Sequence, residues 1–156
     1  MRSLVWLVIA GCSGGGSGGG SDGGGYYLAG ECDPAAGTVP ITTTAAFLAS
    51  SSCLQSTNQL EVVESVAQWD ALFSCPTDVP TGVDLTAGRA AIAHEQCTPL
   101  SLRFVSESDA EVVVGVVAGI SGACIGEPVV VPLARSAKPV RLAQCREQCD
   151  DCPPVP

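Results

Sequence analysis

The densest grouping of reactive side chains lies near the C-terminus, where "CREQCDDC" places Cys145-x3-Cys149-x2-Cys152. Thiolates grouped this closely could bind a metal ion, and with a fourth ligand they suit tetrahedral zinc. In an exported chain the same thiols oxidise to disulfides instead. His94 is the chain's one histidine, so every Ser-His or Cys-His scheme must pass through it. No G-x-S-x-G accompanies it, and at the end of the strand-like "AAIAHE" its expected role is that of a hydrogen-bonded boundary residue. Carboxylates are paired at Glu61 with Glu64 and at Asp150 with Asp151. General acid–base work needs two carboxylates in one cleft with separated pKa values, and nothing marks these as sharing one, so they read as solvated surface. There is no calcium-loop, P-loop or dinucleotide fingerprint, and the glycines of Gly14 to Gly25 precede no helix. The expectation is a non-enzyme with no catalytic residue, no metal and no cofactor.

The thiol spacing is similar to the cluster signature of radical SAM enzymes. Three features oppose that chemistry: the motif is C-terminal, only about a hundred residues precede it where a barrel is needed, and Asp151 stands where that family places an aromatic. Zinc lacks a nearby fourth ligand, because His94 is distant in sequence. The cluster is therefore expected to be a disulfide knot pinning the tail to the folded part.

The opening of the chain reads as an address. Arg2, the apolar run Leu4 to Ala10 and the small residues before Cys12 follow the order of a secretory signal. The run is about a third of the ~20 residues a spanning helix needs. Ile9-Ala10-Gly11-Cys12 resembles the lipobox of bacterial lipoproteins. That resemblance implies a signal peptide at 1–11, a diacylglycerol on the Cys12 thiol and an acylated amine, with fatty chains such as palmitate as the membrane anchor. It also implies an outer-membrane address, from Ser13 after the lipidated cysteine. Residues 12–25 are then a Gly/Ser-rich linker with nothing to bury, a flexible coil spanning roughly 20 Å.

Residues 26–156 have the size of one ordinary domain. Acidic residues outnumber basic ones 16 to 7, for a formal net charge of −9. Nucleic-acid binding draws its strength from clustered Lys and Arg, so that class is excluded, and anionic headgroups are repelled. Besides Cys12 there are eight cysteines, Cys32, Cys53, Cys75, Cys97, Cys124, Cys145, Cys149 and Cys152. An even count in an exported chain reads as a disulfide framework, with a connectivity that spacing cannot choose.

The elements that must carry these residues are mainly β. Residues 26–39 read as an irregular lead-in, "VPITTTAAFLA" as a first strand, and Gln59 to Glu64 as a second. Ser65-Val66-Ala67-Gln68 has capping-box form and opens a short helix, with Val66, Trp69 and Phe73 on its core face. "RAAIAHE", "PLSLRFVS", "AEVVVGVVA", "EPVVVPLA" and "KPVRLAQ" then read as an antiparallel meander. Alternation puts Leu100, Leu102 and Phe104 on one face. "AEVVVGVVAGI", apolar on both faces, is expected to be central, and Pro132 is expected to mark an edge strand. The fold class is mainly β (α+β): an antiparallel sheet or sandwich with one short helix, stapled by disulfides.

At "LEVVESVAQWDALFSC", "VDLTAGRAAIAH" and "EPVVVPLARSAKPVRL" the order of elements is similar to the PrcB C-terminal-like domain of bacterial envelope lipoproteins. The resemblance spans about Gln59 to Leu142 and implies a non-catalytic partner that stabilises an exported protease. No functional residue carries over, because "EQCTPLSLRF" replaces the family's glycine-glycine-tyrosine stretch. The functional expectation is a lipid-anchored envelope protein that binds or stabilises another envelope protein. The alternatives are an envelope hydrolase using His94, or a structural lipoprotein with no catalytic role.

Overall fold

A computed structural model describes residues 26–48, 53–96, 98–120 and 127–149 of the chain. In chain order the elements are β1 (Tyr26–Gly30), β2 (Val39–Pro40), β3 (Ala46–Phe47), β4 (Leu60–Val63), α1 (Val66–Leu72), β5 (Gly88–Ala93), β6 (Leu100–Glu107), β7 (Val112–Ala118), β8 (Val129–Ala134) and β9 (Val140–Cys149). They form a five-stranded sheet of order β1-β9-β7-β6-β2 and a four-stranded sheet of order β3-β8-β5-β4. Among the described residues the fold is mostly β with one short helix, as the run of strand-like segments implies.

Period-two alternation sorts the side chains into two cores. Between the sheets, Val112, Val114, Val116 and Ala118 of β7 meet Ala91, Ala93, Val129, Val131 and Leu133 of the smaller sheet. The opposite face of the smaller sheet, through Val63, Ala90, Ile92 and Val130, packs on Trp69 and Phe73 of the helical segment. Every residue of β5 and β7 is buried. Strands covered on both faces must be apolar throughout, which is why "GRAAIA" and "VVVGVVA" barely alternate.

The helix begins as its sequence demands. Ser65 caps it, accepting from the Gln68 backbone N–H, while Gln68 Oε1 accepts from the Glu64 N–H at 2.6 Å. The reciprocal bond thus reaches one residue beyond the cap itself. Trp69 is fully buried and its Nε1 donates to Thr77 O at 2.7 Å. Val66, in the first turn, departs from the expected core stripe and is half exposed.

Several local expectations are corrected. Residues 26–30 are a strand, not an irregular lead-in, pairing with Gly30 opposite Cys145. The first predicted strand divides into β2 and β3, which join different sheets. The meander is broken by β9, which runs parallel to β7. A bulge at Arg103 shifts the register between Leu102 and Phe104, so Phe104 lies opposite Gly115 on the outer face while Leu102 stays inside. Pro132 is not on an edge strand, for β8 pairs with both β3 and β5. The physical reason is local: β3 reaches only Val129 and Val130, so beside Pro132 no ladder partner is lost.

Candidate functional site

Of the predicted cysteines, Cys53 and Cys75 form a disulfide with a Cα–Cα distance of 5.6 Å. The bridge ties the segment before β4 to the loop after the helix, beside the backbone bonds Ser74 N–H to Cys53 O (2.7 Å) and Gln55 N–H to Leu72 O (2.9 Å). Its place is structural, flanking Phe73 at the helix C-cap.

Of the C-terminal cysteines only Cys145 has a described side chain, so the expected knot lies outside the described residues. Cys145 lies on the outer face of β9, opposite Gly30, fully buried and within hydrogen-bond reach of the Cys32 thiol. Burial, and then the neighbouring Cys32 thiol, push its pKa up to about 11. Such a thiol is a poor nucleophile and a poor metal ligand until it is deprotonated or oxidised. Gly30 has a left-handed φ of 105° and a carbonyl oxygen only 2.8 Å from where its Cβ would stand, so a glycine there lets the lead-in reach this site. The Cys149 backbone ends β9. Cys12, Cys97, Cys124 and Cys152 lie outside the described residues, as do the signal peptide, lipobox and linker, Asp150 and Asp151.

His94 follows β5, where its backbone N–H donates to Gln59 O at 3.0 Å. Its Nε2 is buried without a partner among the described residues, so no hydroxyl, thiol or carboxylate is aligned on it. Glu61 accepts from Ser56 Oγ and from Asn58 Nδ2, which employs that carboxylate in ordering the turn before β4. Among the described residues no three His, Cys, Asp or Glu side chains converge on a metal-sized site, and no helix is long and apolar enough to cross a membrane.

The sequence reading missed one flank of the paired sheets, the one edged by β2 and β3. Across the sandwich β6 lies against β8 and β9 against β4. The neighbours of β6 and β8, namely β2 and β3, therefore share one side, and each is only two residues long. Val39 pairs with Glu107 and Phe47 with Val129, and these two apolar residues are 67% and 54% exposed. Between them, residues 41–45 cross from one sheet to the other, held by Ile41 N–H to Val105 O (2.8 Å) and Thr43 Oγ1 to Pro132 O (3.1 Å). Beside this crossing is an open groove of about 340 Å³ lined by Thr42, Thr43, Asp84, Gly88 and Arg89. Only a polar residue inside an otherwise apolar strand, Arg89 at the start of β5, signals it in the sequence.

No protein-family model, curated protein or solved structure matches the chain. The geometry of the flank therefore carries the functional argument.

Proposed function

We propose that the chain is an exported lipoprotein, anchored through Cys12, whose β-sandwich binds another protein of the bacterial envelope, an exported protease being the candidate partner. The observation that carries this reading is the flank formed by β2 and β3. The two-residue β2 pairs only with Ser106 and Glu107, so the β6 edge from Leu100 to Phe104 has no strand beside it among the described residues, and an extended partner segment can add to such an edge. Phe47 gives that segment an apolar anchor of the type that dominates interface energetics. The acidic excess of the chain favours a partner with basic residues around its contact.

A photo-crosslinking amino acid at position 47, in the full chain expressed in its own envelope, tests the interface. One discrete adduct, absent when the same group stands at exposed Ser101, is expected. Equal adducts at both positions, or none, would remove the flank as the interface. In parallel, Cys12→Ser is expected to move the protein from the membrane to the soluble fraction, and continued sedimentation with membranes would refute the anchor.

A further inference from the structure

We propose that residues 26–38 form a redox-controlled arm, clasped to the larger sheet when Cys32 and Cys145 are bonded to each other and free to lift when they are reduced. Its first half is β1, an edge strand paired only with β9. Its second half must cross the sheet, because β1 and β2 lie at opposite edges. The inner face is filled by Val112, Val114 and Val116 against the smaller sheet, so the crossing runs over the outer one. There Arg141 of β9 donates twice to Glu31, at 2.8 and 2.9 Å, and Arg103 of β6 pairs with Asp33 at 3.6 Å. Val113 and Val117 of β7 and Ala143 of β9 face that side and are buried, although no other described strand or helix lies over them. Lifting the arm uncovers them.

Apart from the sulfurs, the crossing is weakly held. Glu31 N–H reaches Gln144 O only at 3.4 Å, and among the described residues no backbone N–H from Cys32 to Thr38 bonds to the sheet. The ion-paired side chains are 41% to 81% exposed, where such pairs contribute little and salt screens them. Ser106 faces the same side beside Val113, and its Oγ is buried with no partner among the described residues. A buried hydroxyl without a partner opposes closure, and water satisfies it when the arm lifts.

The two sulfurs sit at the middle of the arm. Cys145 is fully buried on β9, and Cys32 is half-buried within hydrogen-bond reach of it. Both are free thiols, while Cys53 and Cys75 are bonded. Greater exposure makes Cys32 the entry sulfur: its thiolate attacks a disulfide donor, one donor thiolate leaves, and a mixed disulfide forms. Cys145 then loses its proton and attacks the Cys32 sulfur, expelling the second donor thiolate. One S–S bond forms in the chain and one breaks in the donor, which takes up the two electrons and two protons. Because Gly30 already pairs with Cys145, the bond leaves β1 in register.

The test uses the full chain in buffers of reduced and oxidised glutathione, with Cys32 and Cys145 followed by differential alkylation and the arm by a glutamate-specific protease. Cleavage after Glu31 needs the arm to open, and cleavage after Glu64, in the smaller sheet, is the control. The two thiols are expected to oxidise together and reversibly, with cleavage after Glu31 roughly tenfold faster in the reduced form and cleavage after Glu64 unchanged. A bond that survives about a hundredfold excess of reduced glutathione is a permanent staple and overturns the switch. Equal rates after Glu31 in both forms overturn the arm, as does an equal rise after Glu64, which would mean that the bond stabilises the whole fold. Cys32→Ser should be cut after Glu31 at the reduced rate in every buffer, and slowing by oxidised glutathione would refute the pairing. Should that variant not fold, the wild-type chain in its two forms decides alone. None of these results depends on the protein partner or the anchor.

Discussion

The Cys32 thiol reaches the buried Cys145 thiol from the segment that follows β1, on the outer face of the larger sheet. Two thiols in such contact need little movement to form a bond between their sulfurs. In an oxidising compartment a disulfide donor would accept their two electrons and two protons. Non-reducing peptide mapping of protein from the envelope is expected to recover a Cys32–Cys145 peptide beside the Cys53–Cys75 peptide. A stable pairing of Cys145 with any other cysteine would contradict it.

The reduced form carries a pH signature. Burial raises the Cys145 pKa from 9.0 to about 11, so the folded state holds its proton more tightly than the unfolded state. Stability from this group is complete below about pH 9 and is lost as pH rises toward 11. Urea midpoints of reduced protein should fall across that window and those of Cys145→Ala should not. Oxidation should abolish the difference, since a disulfide does not titrate.

On the same outer face, a Cβ on Gly115 would stand 2.2 Å from Phe104 Cε1. Either the Phe104 ring leaves its place over Gly115 or the strand shifts, so Gly115→Ala is expected to destabilise by about 1–3 kcal/mol. Phe104→Leu should recover part of that loss in a double-mutant cycle. Additive effects of the two substitutions would show that the ring is not what the glycine accommodates.

How far the sequence discloses this arrangement depends on where a rule is local. The β-dominated class, the cap at Ser65 and the central place of β7 follow from patterns within a few residues. Phe104 faces outward because a bulge at Arg103 resets the alternation, and nothing in "LSLRFVS" announces a bulge. Pro132 sits inside its sheet because β3 ends short of it, a fact about a segment more than eighty residues earlier. The same applies to the site. Cys32 and Cys145 meet only through the β1–β9 register.

The Cys53–Cys75 bridge closes a loop of 22 residues that contains β4 and α1. Cross-linking a loop of that length removes about 3 kcal/mol of unfolded-state entropy. Cys53→Ser with Cys75→Ser together should lower stability by that order, read from chemical denaturation. The loss should concentrate in the helical segment, which the bridge and two backbone bonds tie to residues 53–55 and which otherwise rests on the smaller sheet only through the packing of Trp69 and Phe73. Hydrogen exchange is therefore expected to rise first at Trp69 to Phe73, while Val114 and Val131 between the sheets stay protected. Uniform exchange across both cores would mean that the helix and the sandwich unfold as one unit and that the bridge stabilises the whole.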